Sequence, residues 1–334
     1  MSQTQMADFD RQGYLVLESA LDPADLTAVQ VEYEALLAHK AEDLFTRGQI
    51  TSPRPELPFA QRYGALLDEC RQVFQELDIT LPVQQSLPAH APVHCGPAVF
   101  DLITHPKVLD IVESIIGPEI LSNPTQHLRL KPPEKTLAAD LKKGIAGRTT
   151  WHQDLAGLLD EALETDLLTV WIAVSDAWQD QGCLVVIPGS HKNNHETSAA
   201  PGGMTTHCPE SEKVNANFIA GRRLAPGPRV PLPVPRGSVV LMHKLTQHAS
   251  LPNRSERLRF AFDLRYQPVG QPTGRPAFPA FVARSRKDPE AVLRSAEDWQ
   301  ALWQKALAAI QSGAYHGPIY ETARWEAYGA QPPC

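Results

Sequence analysis

His152-Gln153-Asp154 sets an imidazole and a carboxylate two residues apart. In extended backbone, residues i and i+2 point to the same face, so both side chains can offer a donor atom to one point. A third donor is available downstream, between Gly237 and Ser250, where His243 and His248 both follow an apolar run. Two histidines and one carboxylate on one face of an octahedral metal make the facial triad of non-haem Fe(II) oxygenases, which leaves three positions for a co-substrate and O2. His248 is the favoured third ligand because Ser250, Pro252 and Asn253 after it mark a strand end facing a turn; His243 is then a core or neighbouring histidine. A single His-x-Asp is weak by itself, since it arises readily by chance in a chain with 12 histidines.

A second feature sharpens the reading. Arg257-Leu258-Arg259-Phe260-Ala261-Phe262 places arginine inside an apolar strand, which costs free energy unless the guanidinium meets an anion. A dicarboxylate co-substrate would supply one. Arg257 and Arg259 are two residues apart on one face, so both remain candidates. The five cysteines are odd in number and widely spaced, with no Cys-x-x-Cys. That disfavours a thiolate zinc site and a disulfide framework. The net charge of −7, with no basic run, leaves no nucleic-acid footprint. Apolar runs fall short of the ~20 residues that span a bilayer, and the polar N-terminus has no signal-peptide core. A small-molecule partner in a reducing, cytoplasmic compartment is the expectation, with neither monomer nor homodimer favoured.

The elements that must position these residues follow from the chain order. Gly13 to Leu17 reads as a short strand. Asp22-Pro23 opens a helix that runs to about His39, and Phe59 to Leu77 reads as a second one. Residues 82–97, with His90 and His94, read as irregular and surface-lying. Pro106 to Ile116 is a short amphipathic helix stopped by Gly117-Pro118. Ile120 to Leu130 reads as one strand carrying Gln126 and His127, and residues 134–148 as a loop. Further strands are expected around His152, at Leu167–Val174, Leu184–Ile187, Ser238–His243 and Arg257–Tyr266, with Val230–Val234 as an edge because of its prolines. Helix starts at Asp288 and Ser295 lead into a tail with Trp299 and Trp303. The 30 prolines, about 9% of the chain against a usual ~5%, fit short elements and rigid loops. Many short strands between Gly/Pro turns, with helices at both ends, argue for a mainly β fold with a jelly-roll core. Such a core would bring the strand near residue 150 beside the strand at 248.

Taken as an ordered set, the motifs make the chain resemble the phytanoyl-CoA dioxygenase (PhyH-like) family of Fe(II)/2-oxoglutarate oxygenases. The matching residues are Phe9 with Gly13-Tyr14-Leu15-Val16, His105-Pro106 through Ile116-Gly117, Lys131-Pro132-Pro133, His152-Gln153-Asp154, Trp171, Gly182-Cys183-Leu184-Val185-Val186-Ile187-Pro188-Gly189-Ser190-His191-Lys192, and His248-x-Ser250-x2-Asn253-x-Ser255-x3-Arg259. The resemblance covers roughly residues 9–268. It implies a double-stranded β-helix core at about 119–268 within one domain; the helix signals add a helical region 1–118 and a helical tail 287–334, and the long polar stretch 191–229, where with the tail the resemblance ends, reads as an insertion or lid. The resemblance implies His152, Asp154 and His248 as iron ligands, and Arg259, whose distance from the distal histidine favours it over Arg257, as the anchor of 2-oxoglutarate. Ser250, Trp171 and His127 would complete the co-substrate pocket. The expected activity is oxidation, most simply hydroxylation, of a C–H bond in a small organic molecule, with O2 consumed and 2-oxoglutarate decarboxylated to succinate. Secondary metabolism is the expected setting, because the family diversifies in that direction. Asp154 argues against halogenation, which needs that position vacated for chloride. The alternatives are a 2-hydroxylase of acyl-CoA, whose diphosphate would need a basic patch such as Arg222-Arg223 or Arg284, Arg286 and Lys287, a non-catalytic 2-oxoglutarate or metal binder, and a cupin-type isomerase or hydrolase.

Overall fold

The computed structural model describes residues 1–81, 91–138, 141, 147–192, 199–200, 204–205, 208–209, 217–219 and 221–319. The elements run α1 (Gln3–Gln12), β1 (Tyr14–Leu17), α2 (Thr27–Thr46), α3 (Phe59–Cys70), α4 (Pro97–Ile103), α5 (Pro106–Ile116), β2 (Ile120–Ser122), β3 (His127–Lys131), β4 (Leu168–Ala173) and β5 (Leu184–Val186). Two short hairpins follow, β6 (Ala199–Ala200) with β7 (Met204–Thr205) and β8 (Cys208–Pro209) with β9 (Asn217–Phe218). The chain then forms β10 (Val230–Leu232), β11 (Val239–His243), β12 (His248–Ser250), β13 (Arg259–Pro268), β14 (Phe281–Arg284) and α6 (Ala296–Gln311).

A seven-stranded antiparallel sheet runs β1-β11-β4-β13-β2-β14, with β3 also paired to β13. A three-stranded sheet runs β10-β5-β12. The two face each other as a double-stranded β-helix, the jelly roll expected from the strand pattern. Ten-residue β13 is its axis: β4 flanks one edge, while β3 and then β2 share the other.

Period-2 alternation sorts the side chains of the large sheet. Leu168, Val170 and Ile172 of β4, with Phe260, Phe262, Leu264 and Tyr266 of β13, join Tyr33, Leu37, Val108 and Trp299 in one core between sheet and helices. The alternate residues point between the sheets. There Trp171, Ala173, Val240, Met242 and Ala261 meet Leu184, Val186 and Leu232 of the small sheet. Polar residues of β13 (Arg259, Asp263, Arg265 and Gln267) fall on the same inner face and are buried. The strand thus carries core on one side and chemistry on the other.

Several elements differ from the sequence reading. Helix α1 is set by a capping box, with Ser2 and Gln5 each accepting the other's backbone N–H, and Gly13 at φ 77 ends it. A Cβ on Gly13 would lie 2.3 Å from His191 Nδ1, so glycine lets β1 reach the edge of β11. Helix α2 runs seven residues past His39 to Thr46. The second helix stops at Cys70, and only a 3-10 turn follows at Gln75–Leu77. Helix α4 occupies residues expected to lie outside any element. The single strand expected from Ile120 to Leu130 is two, β2 and β3, because Asn123-Pro124-Thr125 breaks it: Asn123 Oδ1 accepts the Thr125 amide at 2.8 Å. Asp288-Pro289 opens only a 3-10 turn, whereas Ser295 caps α6 as expected, accepting the Asp298 amide. Val230–Leu232 is indeed an edge strand. Strands β1 and β14 extend the large sheet beyond the 119–268 core on both sides. About half of the 191–229 segment, residues 320–334 of the tail, and His90 lie outside the described residues. His94 is half-buried and shares a hydrogen bond with Glu32 Oε1 at 2.8 Å. No helix among the described residues is long and apolar enough to cross a membrane. Cys70, Cys95 and Cys183 are free thiols.

Candidate metal and co-substrate site

His152 and His248 sit opposite each other in an antiparallel bridge, each amide donating to the other's carbonyl at 3.0 Å. His152 is not part of a regular strand. The chain stays extended through Gln153 (φ −121, ψ 138) and turns at Asp154 into a 3-10 segment, Asp154–Gly157. That turn brings the carboxylate back towards the two rings. Asp154 Oδ1 lies 3.7 Å from His152 Nε2 and 3.9 Å from His248 Nε2. The three donor atoms lie within 4.8 Å of one another, the one such group of His, Cys, Asp or Glu among the described residues. His243 lies elsewhere: its ring neighbours His191, and its Nδ1 accepts the Leu245 amide.

The hydrogen bonds choose the tautomers. His152 Nδ1 is 2.8 Å from the Thr150 carbonyl and His248 Nδ1 is 3.0 Å from the Thr246 carbonyl. A carbonyl only accepts, so each Nδ1 carries a proton and Nε2 is the ring nitrogen left to serve as a ligand. Burial, then the proximity of His248, pushes the His152 pKa down to about 3. The ring is therefore neutral and available as a ligand at ordinary pH. Burial acts to raise the Asp154 carboxyl, but Arg265, His248 and His152 outweigh it and hold it far below its usual value. Two imidazoles and one carboxylate match the donor set of a divalent first-row metal.

Asp154 is held at both oxygens. Arg265 Nη2 donates to Oδ1 at 2.5 Å and the Thr169 hydroxyl donates to Oδ2 at 2.5 Å. Arg265 is fixed in turn by the Thr125 carbonyl at 2.8 Å and lies 3.4 Å from Asp263 Oδ2. Arg129 on β3 donates to the same Asp263 oxygen at 2.9 Å. A chain of alternating charge, Arg129–Asp263–Arg265–Asp154, thus runs across the inner face of the large sheet.

Beside the triad is a small cleft whose walls include Arg129, Trp171, Leu184, Met242, Ser250 and Arg259. Arg259 is 2% exposed, and its Nε and Nη1 are buried without any hydrogen-bond partner. Its guanidinium lies 5.4 Å from the centre of the Trp171 ring. Burial, then Arg129, lowers its pKa to about 10, so it is still a cation near neutrality. An unpaired buried cation is expensive, and an anion from outside the chain would relieve the cost. Arg257 is exposed and precedes β13, so Arg259 is the arginine that the register turns inward. Ser250 Oγ accepts from Lys131 Nζ at 2.6 Å and from the Thr149 amide at 2.9 Å. The Lys131 ammonium also donates to the Leu251 carbonyl. Burial, then Arg259 and Arg129, pulls its pKa well below the ordinary lysine value.

His127 departs from expectation. It shares the inner face of β3 with Arg129 and Lys131, but its Nδ1 is engaged by Asp78 Oδ2 at 3.0 Å and it is not among the cavity walls. The sequence reading missed Arg129, Lys131, Thr169, Asp263 and Arg265. Their signal was available: charged residues alternate with apolar ones along both β3 and β13.

Known proteins agree with this geometry. The sequence profile described as phytanoyl-CoA dioxygenase (PhyH) matches residues 9–261, well over half of the chain. "Phytanoyl-CoA dioxygenase domain-containing protein 1" of Danio rerio is 29% identical over 274 residues, covering 76% of this chain and 86% of that protein. "Phytanoyl-CoA dioxygenase, peroxisomal" of Bos taurus is 23% identical over 271 residues, covering 80% and 68% respectively. Among solved structures, "non-heme monooxygenase; ThoJ apo" shares the fold at a TM-score of 0.54 and 18% identity, covering 92% of this chain and 99% of that one. The chain belongs to the phytanoyl-CoA dioxygenase family and is an enzyme of its Fe(II)- and 2-oxoglutarate-dependent type.

Proposed function

We propose that this enzyme hydroxylates a C–H bond of a small organic molecule, in secondary metabolism, with Fe(II) held by His152, Asp154 and His248 and 2-oxoglutarate anchored by Arg259. The observation that carries the reading is the buried Arg259 guanidinium, with two unpartnered donor nitrogens, in the wall of the same cavity as the two histidines. Bound Fe(II) supplies the redox chemistry that couples decarboxylation of 2-oxoglutarate to succinate and CO2 with oxidation of the C–H bond by O2. Everything else is the work of the chain. Arg259 meets the distal carboxylate, in a two-point contact where its planar fork allows. Ser250, its oxygen already accepting twice, keeps its hydroxyl proton to donate to that carboxylate. Trp171, Leu184 and Met242 give the cavity apolar walls that exclude water. Asp154 keeps the position that a halide would need, which supports hydroxylation over halogenation.

A substrate without a CoA moiety is supported by the state of the basic residues near the tail. Arg284 is paired with Asp110 and Glu113, and Arg286 with Glu113. These cations are neutralised, so they make a poor seat for an acyl-CoA diphosphate.

The test is anaerobic addition of Fe(II) and 2-oxoglutarate to the purified protein, followed by visible spectroscopy. A weak charge-transfer band is expected in the wild type and none in His152→Ala. Folded, iron-loaded protein without the band would refute the co-substrate assignment; where the band forms, substrates are screened by the succinate they release.

A further inference from the structure

We infer that Thr169 and Arg265 act together as a clamp that restricts Asp154 to a single metal-facing oxygen, and that this restriction keeps coordination positions open for the co-substrate and O2. The inference rests on the triad being the iron site. A carboxylate beside a metal can bind through one oxygen or two, and the choice matters here because six positions must be shared. Three protein donors leave three positions: two are needed by a chelating 2-oxo acid and one by O2. A carboxylate binding through both oxygens would remove one of these.

The structure fixes the choice on the protein's side. Oδ2 accepts the hydroxyl of Thr169, a fully buried residue of β4. Oδ1 is the oxygen 3.7 and 3.9 Å from the two Nε2 atoms, and it also accepts from Arg265. Arg265 comes from β13, opposite Thr169 across the β4–β13 ladder. One cross-strand pair therefore grips both ends of the carboxylate. Rotation of Asp154 about its terminal bond would break two short hydrogen bonds and leave a buried guanidinium and a buried hydroxyl short of partners. The Thr125 carbonyl and Asp263 keep Arg265 from following the carboxylate. Thr169 and Arg265 are positioning residues, acting through Asp154.

The test uses Thr169→Val, which keeps the shape and removes the hydroxyl, with Thr169→Ser as rescue and Thr169→Ala in case valine impairs folding. Each full-length variant is titrated anaerobically, first with Fe(II), then with 2-oxoglutarate on the iron-loaded protein, and last with nitric oxide as an O2 surrogate. Without the hydroxyl, Fe(II) affinity should stay within about two-fold of wild type or tighten. The 2-oxoglutarate Kd should rise at least ten-fold, nitric oxide binding to the ternary complex should weaken in parallel, and serine should restore both. Wild-type-like titrations of all three ligands in Thr169→Val would overturn the clamp. So would a ten-fold loss of Fe(II) affinity itself, which would make Thr169 a simple support for the ligand. If wild-type iron binding is indifferent to His152→Ala, the triad assignment has failed instead, and the two failures are distinct.

Discussion

Replacing Arg259 by methionine isolates the co-substrate contact. The side chain is 2% exposed, stacks on Trp171 and leaves Nε and Nη1 without partners. Methionine fills a similar volume without charge or donors. Truncating one partner of a buried, hydrogen-bonded charge pair costs about 2–5 kcal/mol in binding. At about 1.4 kcal/mol per decade, that is a rise of about 30-fold to a few thousand-fold in the Kd of 2-oxoglutarate. The protein without co-substrate should behave differently, because the substitution removes orphaned donors instead of breaking a bond. Its urea midpoint should stay level or rise. Arg259→Lys keeps the charge and loses the fork, so it should fall between the two. The assay is a 2-oxoglutarate titration of the charge-transfer band at saturating Fe(II), with the exposed Arg257→Ala as control. A Kd for Arg259→Met within three-fold of wild type, or an equal loss in Arg257→Ala, would refute the reasoning.

Three other outcomes are expected. Asp263→Asn removes the negative charge shared by Arg129 and Arg265, and leaving those buried cations uncompensated should cost about 3 kcal/mol in urea denaturation; a loss under about 1 kcal/mol would contradict the network. Burial, then His191, pushes the His243 pKa down to about 4, below the ordinary ~6.5. As pH falls the unfolded chain takes up the proton first, so this stability is complete above about 6.5 and drains away towards 4. His243→Asn should flatten that acid limb in pH-dependent melts, and an unchanged limb would rule its titration out. Gly182 has φ 78, and a Cβ there would lie 2.6 Å from the Leu251 carbonyl and 2.8 Å from Lys131 Cδ. Gly182→Ala should lower stability by more than about 1 kcal/mol and also weaken 2-oxoglutarate binding by displacing Lys131 from Ser250; unaltered co-substrate affinity would separate that lysine from the site.

What the sequence discloses depends on whether the signal is local. Strands β4, β5 and β11 are bounded apolar runs, β13 alternates apolar with polar residues, α6 has a capped start and a stripe of tryptophan and leucine, and His-x-Asp needs only two residues' spacing. All of these could be read directly. Helix α4 could not, because Ala98, Val99, Phe100, Leu102 and Ile103 are all buried and leave no polar face to show a period. Helix α1 shows itself mainly through its cap. The inner-face charges were visible residue by residue, yet their pairing needs the register that sets Arg129 opposite Ala261 and Arg265 opposite Thr169. His127 illustrates the converse: its place before Lys131-Pro132-Pro133 suggested a pocket residue, but its partner Asp78 lies far upstream and only tertiary packing brings it there. Arg257 and Arg259 share a strand face in sequence and only the spacing from the distal histidine prefers Arg259; the start of β13 at Arg259 adds the burial that separates them.

The mutual backbone hydrogen bonds of His152 and His248 also bear on how the protein folds. The two residues are about a hundred positions apart, so their bridge closes a long loop whose entropic cost comes before its reward. The bridge therefore belongs late in folding, after more local contacts have formed. A metal cannot nucleate this chain as zinc nucleates a finger; it can only bind a scaffold already closed and then slow its reopening. Iron should change the unfolding rate far more than the refolding rate.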